Sequence, residues 1–358
     1  MSYDVQDRFK RMAQEVAARS CSNIGRFGLS FVEWTRGESI QLYEHRDFYL
    51  GHVDEGLGTL NLVHDKMFFH KWHSYDRSAA YNTVASIVND GAMLGAMPIN
   101  VHAHIAAGGE HWFVHEERIH EFLEGWLEAC TDARCGYDGG ETAILRDLVK
   151  GSSAVLSGSS TFIISPKSRL IRRNIEAGDL ILLLSSSGIH ANGATLARDI
   201  AEKLPNGYQT KMSDGRMFGE ALCEKSHIYP PFIEDCLNAG AEIHYGVHIT
   251  GHGWRKLMRA PEPFAYIIND VPTPQPVFDF IAQKGKVPSR NMYGDYNMGA
   301  GFALYVPWYE EHRIRSVWAA GNYPFALMEA GYIEKSAKRR VVINPIQETF
   351  EEKELQVR

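Results

Sequence analysis

Three carboxylates in the first half of the chain stand beside glycine. Asp54 precedes Gly56-Leu57-Gly58-Thr59, Asp90 sits in Asn89-Asp90-Gly91, and Glu141 follows Gly139-Gly140. A carboxylate at the end of an apolar element is costly unless it has a partner or a cation. Singly, each reads as an ordinary cap or turn acid. Together, with glycines leaving room for a ligand, they suit Mg2+, which takes a few carboxylates and fills its other positions with water and phosphate oxygens. In the second half, Ser185-Ser186-Ser187-Gly188 runs into His190, Asn192 and Gly193 at a helix start. Free backbone N–H groups and the positive end of a helix dipole make such a turn an anion site. The plainer reading is a capped helix after a tight turn.

Composition narrows what this chemistry serves. The 358 residues are 44% hydrophobic and 23% charged, a globular profile long enough for two domains. With 37 basic against 44 acidic residues the net charge is -7, so no global basic field attracts nucleic acid. The N-terminal segment mixes charge into every turn and lacks the apolar stretch of a secretion signal, and the apolar run at 180–184 is far short of a membrane span. Five cysteines without a CxxC read as thiols in a reducing compartment, so a cytoplasmic location is expected. Gly285-Lys286 lacks the rest of a P-loop, and no strand-anchored G-x-G-x-x-G is present. His102 with His104, and His244 with His248 near His252, place imidazoles on one face of a strand. Such pairs bind zinc if they converge, and otherwise are structural or surface histidines.

The elements that must position these groups follow from periodicity. Val5, Phe9, Met12 and Val16 predict an amphipathic helix packed on the first domain. Strands are expected at 47–53 and 99–105, with helices carried by Tyr81, Val84, Ala85, Val88 and Ala92 and by Ile119, Phe122, Leu123, Trp126, Leu127 and Cys130, and 154–165 is small, polar and β-branched. A charged connector over 165–179 marks the boundary, giving domains 1–170 and 171–358. Beyond it, a strand at 180–184 feeds a helix with Leu196, Ile200 and Leu204. Further strands are expected at 241–249, 264–268 and 302–306, with helices near 232–238 and 309–319. The fold class is therefore α/β, an α+β sandwich of two domains, each a mostly antiparallel or mixed sheet covered by helices.

Taken in order, HVDEGLGTLNL (52–62), SIVNDGAMLGAMPINVHAHIAAG (86–108), GGETA (139–143), AGDLILLLSSSGIHANGATLAR (177–198), EKSHIYPPFI (224–233), HITGHGW (248–254) and MYGDYNMGAGF (292–302) resemble aminoimidazole ribonucleotide synthetase, the phosphoribosylformylglycinamidine cyclo-ligase family, and its ATP-dependent superfamily. The resemblance implies an ATP site in the cleft between domains and a homodimer built through the N-terminal domains. It also implies an enzyme of purine biosynthesis. Asp54, Asp90 and Glu141 match acids serving Mg2+ and the phosphates, with Gly58 and Thr59 in the loop beside them. Asn89, Ser187, Gly188, Asn192, Thr250, Gly251 and Asn297 match residues around the nucleotide, and His190 matches a group for hydrogen bonding or proton transfer, with Asp90 as its catalytic companion. Leu60 stands where the family loop carries Lys, Ala103 where a strand carries Asp, and His252 where a Thr-Gly-Gly-Gly turn carries its middle glycine. The implied reaction phosphorylates an amide oxygen of formylglycinamidine ribonucleotide with ATP and closes the aminoimidazole ring, releasing ADP and phosphate. The alternatives are a small-molecule kinase of the same superfamily and a non-catalytic dimer that has lost ATP turnover.

Overall fold

The computed structural model describes residues 4–71 and 75–355, with side chains over the same span except 4–7 and 69–71. The first sheet holds β1 (Ser30–Phe31), β2 (Gln41–Glu44), β3 (Tyr49–Gly56), β4 (Met97–Ala107), β5 (Gly136–Ile144) and β6 (Ala154–Ile164) in the order β1-β2-β3-β6-β4-β5. The second holds β7 (Leu180–Ser185), β8 (Tyr245–His248), β9 (Phe264–Ile268), β10 (Ala300–Val306), β11 (Leu327–Lys335), β12 (Arg340–Ile343) and β13 (Glu348–Glu351) in the order β13-β12-β9-β11-β7-β10-β8. Each sheet is antiparallel apart from one parallel pair, β4 with β5 and β9 with β12. The fold is the expected two-sheet α/β arrangement.

Ten α-helices among the described residues accompany the sheets: α1 (Asp4–Ala18), α2 (Asn61–Lys71), α3 (Asp76–Ala92), α4 (Glu116–Asp132), α5 (Ala194–Ala201), α6 (Phe218–Leu222), α7 (Pro230–Asn238), α8 (Pro276–Gly285), α9 (Ser289–Asp295) and α10 (Glu311–Ala320). Helix α3 positions the site. It packs on β3, β4 and β6 of the first sheet, on α4, and on α7 and β8 of the second domain. Nearly all of it is buried. A helix buried on every side carries polar residues only where they are bonded, and α3 meets that demand by bonding the second domain's backbone. Asn82 donates to the Glu224 carbonyl (3.0 Å) and accepts from the Ser226 N–H (2.6 Å). One heptad on, Asn89 donates to the His227 carbonyl (2.9 Å) and accepts from the Tyr229 N–H (2.9 Å).

Helix α1 forms, but its apolar stripe does not pack on the first domain. Phe9, Met12 and Val16 are 73%, 54% and 61% exposed, and the Val5 side chain lies outside the described residues. The expected strand at 241–249 is paired only over Tyr245–His248, because Ala241–His244 follow α7 as a connecting segment. Strands β11–β13 complete the second sheet beyond those the periodicity located. No helix among the described residues is long and apolar enough to cross a membrane.

A buried ionic cluster ties α2, α3 and α4 together. The Arg118 guanidinium, 1% exposed, donates through Nε to Asp76 Oδ1 (3.0 Å) and through Nη2 to Asp65, whose second oxygen accepts from Ser153 Oγ (2.6 Å). Removing one partner of such a group strands buried charge. Arg118→Met is therefore expected to lower unfolding stability by about 3–5 kcal/mol, read from the denaturant midpoint of the first transition. A loss below about 1 kcal/mol would place the cluster among weakly contributing surface pairs.

Candidate active site

A cleft of about 510 Å3 opens between the two domains. Strand β3 delivers Glu55 to it, α3 delivers Asn89 and Asp90, the turn after β7 delivers His190 and Asn192, and the end of β8 delivers His248, Thr250, Gly251, His252, Lys256 and Arg259. Phe9, Lys10, Ala13 and Gln14 of α1 line its mouth. Its size suits a small ligand.

Asp90 and His248 form the pair that spans the domains, with Nδ1 of His248 2.7 Å from Asp90 Oδ1. Burial alone would raise the Asp90 carboxyl. The His248 hydrogen bond and the charges of Lys256 and Arg259 outweigh it and hold the carboxyl below its usual range. Burial keeps His248 below the usual imidazole range despite Asp90, so the ring is neutral and donates from Nδ1. Glu55 is exposed at the cleft edge, yet partial desolvation there and then the Asp90 charge push it up to about 7. Burial brings Lys256 down to about 8 and His252 down to about 4.

His190 is fixed by its own turn. It and Ala191 adopt left-handed backbone (φ 49° and 64°), a conformation that marks strain at functional turns. Its Nε2 accepts backbone N–H groups from Ser187 (3.0 Å) and His227 (3.3 Å), so the ring proton lies on Nδ1, which is buried without a partner. Burial, with the His227 and His248 rings close by, holds the ring well below the usual imidazole range. This histidine is a neutral donor, and its basic nitrogen is already occupied. Of the two roles expected for it, the geometry leaves hydrogen bonding.

The three acids do not share one site. Side chains alternate across a strand, and Tyr49, Gly51 and Val53 face the helices, so His52 and Asp54 face the other side and Glu55 faces the cleft. Asp54 and Glu141 line a separate open depression on the outer face of the first sheet, with His52, His102 and His104. Asp90 alone of the expected trio reaches the cleft. The glycines beside two of the acids leave room for protein, not ligand. A Cβ on Gly91 would lie 2.2 Å from the Phe162 ring, and one on Gly140 would lie 1.9 Å from the Ala103 carbonyl at the bulge between β4 and β5.

Asn89, Asn192, Thr250 and Gly251 stand in the cleft wall. Both amide atoms of Asn89 are taken by the 227–229 backbone, and Asn192 Nδ2 donates to the His190 carbonyl (2.9 Å). Behind the wall, the Ser187 hydroxyl bonds the Lys225 carbonyl, and Asn297, fully buried, accepts from Ser186 Oγ (2.9 Å) and donates to the Gly188 carbonyl (2.8 Å). Ser187, Gly188 and Asn297 thus build the turn and do not line the cleft. Gly58 and Thr59 sit where the domains touch, with the Thr59 and Thr195 hydroxyls 3.0 Å apart. The histidine pairs do not converge. His102 meets Asp138 (3.1 Å), His104 meets Ser157 (3.2 Å) and His244 meets Asp179 (2.8 Å), and no group of three potential metal ligands occurs among the described residues. Among the cleft residues that motif matching missed are Glu55, Lys256 and Arg259, and it gave His248 only as half of a histidine pair. Strand alternation from Tyr49 and Val53 points to Glu55. Lys256 and Arg259 needed the three-dimensional turn.

The family described as "AIR synthase related protein, N-terminal domain" matches residues 56–159. Phosphoribosylformylglycinamidine cyclo-ligase of Methanocaldococcus jannaschii is 32% identical over 286 residues, which is 78% of this chain and 77% of that protein. The protein of the same name from Methanosarcina acetivorans is 30% identical over 274 residues, 76% of this chain and 78% of its own. Among solved structures, one in the HypE–HypF complex superposes with a TM-score of 0.60 at 14% identity, over 88% of this chain and 92% of that one. PurL of T. maritima complexed with ATP gives 0.56 at 11% identity, over 88% of this chain and 46% of that one. At these identities the solved structures share the fold.

The raised Glu55 carboxyl has a measurable signature. The folded chain keeps this proton up to about pH 7, whereas an unfolded glutamate sheds it near 4.5. Between those values the folded state binds more protons, so stability falls as pH rises through the window. Glu55→Gln is expected to flatten this slope, seen as a smaller difference in Tm between about pH 5 and about pH 8 than in the parent chain. Equal differences in the two proteins would show that Glu55 titrates as an ordinary surface acid.

Proposed function

The chain belongs to the phosphoribosylformylglycinamidine cyclo-ligase family, and from that premise we propose that it is the ATP-dependent ligase that closes the aminoimidazole ring on formylglycinamidine ribonucleotide. The observation that carries this reading is the Asp90–His248 contact, which joins α3 to the second domain inside the same cleft as His190, Asn192 and Thr250. ATP phosphorylates the substrate amide oxygen, a neighbouring substrate amine attacks the activated carbon, and phosphate leaves. Such transfers ask a protein mainly for positioning and charge stabilisation. In this reading His190 Nδ1–H stabilises a ligand oxygen, and His248, oriented by Asp90, presents its other nitrogen for proton traffic.

Mg2+ asks for a few carboxylates close to the phosphates. Asp54 and Glu141 do not fit, since they line the outer face. Glu55 and Asp90 fit a cation that arrives with a nucleotide and keeps waters and phosphate oxygens as its other ligands. When bound, the ion would neutralise polyphosphate charge.

Two copies of the chain meet, in this reading, through the outer face of the first sheet, where Val155 is exposed in line with Ser157. Val155→Arg is expected to halve the mass measured by light scattering. An unchanged mass would remove this face as the dimer surface.

The assay for the reaction supplies ATP, Mg2+ and formylglycinamidine ribonucleotide and follows ADP and free phosphate together. Equal release of both, dependent on the ribonucleotide, is expected. ADP without phosphate would identify a kinase, and no consumption a chain that has lost turnover. Asp90→Asn should cut turnover by about two orders of magnitude with the melting temperature little changed. Asp54→Asn should leave turnover near that of the parent chain.

A further inference from the structure

We propose that Lys256 is the residue through which the second domain binds the anionic phosphate groups of the cleft ligand. The inference deepens the nucleotide reading above and rests on it for the identity of that ligand.

Three cations line the cleft, Lys10, Lys256 and Arg259, and their circumstances differ. Arg259 holds the 37–39 loop to the second domain: its guanidinium donates to Ser39 Oγ (2.9 Å) and the Gly37 carbonyl (2.7 Å), with Glu38 3.5 Å away. Lys10 stands on the exposed face of α1 at the mouth. Lys256 is half-buried in the wall itself, and its ammonium is steered by neutral acceptors, the Thr250 hydroxyl and the His248 carbonyl (3.4 Å). Neutral acceptors orient an ammonium without cancelling its charge.

The first domain has no equivalent cation in its glycine loop. The residue after Thr59 is Leu60, fully buried in the core at the start of α2. Asp90 instead brings negative charge to that side and acts on Lys256 across the cleft. Opposed charges on two walls suit an anion that arrives with its own counter-cation. A compact ammonium with three donors is a good point-charge partner for phosphate oxygens. A purely structural lysine would only neutralise Asp90, and its loss would weaken every cleft ligand alike.

That difference decides the test. Calorimetry with Mg2+ compares the parent chain, Lys256→Met and Lys256→Arg for ATP, ADP, adenosine and inorganic tripolyphosphate. Lys256→Met is expected to lose about 10- to 100-fold in affinity for ATP and tripolyphosphate, the range of a charge-assisted hydrogen bond. The loss should be smaller for ADP and absent for adenosine, with part of the affinity restored in Lys256→Arg. Melting temperatures of both variants check the fold. Unchanged ATP affinity in Lys256→Met, or an equal loss for adenosine, overturns the proposal. A parent chain that binds tripolyphosphate but not ATP, with the binding lost in Lys256→Met, upholds Lys256 and overturns the nucleotide reading. A parent chain that binds neither overturns both.

Discussion

Two asparagine side chains on a helix with no solvent face fix the second domain against the first. Each carboxamide of Asn82 and Asn89 takes one N–H and one carbonyl from the 224–229 backbone, a pairing that satisfies donor and acceptor on both sides. Shifting the segment by one residue would leave buried groups of both kinds unpaired, at about 1–3 kcal/mol for each. The register is therefore set by hydrogen bonds, while apolar contact supplies most of the adhesion. From there order passes to the turn after β7. The His227 N–H reaches His190, and Tyr229, held by Asn89, bonds the Ser185 carbonyl at 2.9 Å. The left-handed backbone of His190 is thus maintained by contacts that begin on α3.

The same helix sets the electrostatics of the cleft. Asp90 follows Asn89, so the clamp that fixes the 227–229 backbone also fixes where this carboxylate lies relative to β8. Its charge is felt by Glu55, which it raises, and by Lys256, whose charged form it favours. Glu38 lies among the lining residues but serves a different purpose. Arg173 (3.2 Å) and the Tyr245 hydroxyl (2.7 Å) occupy its two oxygens, which makes it a buried link between the 37–39 loop and the second domain. Glu55 and Asp90 are left as the carboxylates facing ligand space.

Much of the fold was legible because its elements keep simple periods. Strands β3, β4 and β7 and helices α3 and α4 lie where the hydrophobic patterning put them, within a few residues at the ends. The family order of motifs was legible too, since it needs only sequence. The side chains' targets were not. Asn89 and Asn297 look like ligand contacts when read as motif letters, yet a buried carboxamide is equally suited to pairing backbone, and only the fold shows which backbone is near. Glycine was ambiguous in the same way. Gly91 and Gly140 admit an aromatic ring and a neighbouring strand, an occupancy no local pattern reveals. Helix α1 misled for a third reason: an apolar stripe states that a face wants burial, and says nothing of what buries it.

The departures from the family pattern gain a physical meaning once their positions are known. His252 sits at φ 70°, the left-handed backbone that a glycine adopts at no steric cost, so the turn has the shape a glycine would give it and adds a side chain that lines the cleft. Leu60 is drawn into the core between the loop and α2, where a charged side chain would be stranded. Ala103 is buried where β4 bulges against Gly140, so the first sheet has no acid at that point. Against the pattern that the resemblance implies, the first domain lacks one positive and one negative position, and the charged groups around the cleft come from both of its sides. A ligand bound there has to touch α3 and the turn after β8 together. The cleft keeps its shape while the Asp90–His248 contact joins α3 to the end of β8 and the two asparagine clamps hold α3 to the 224–229 backbone.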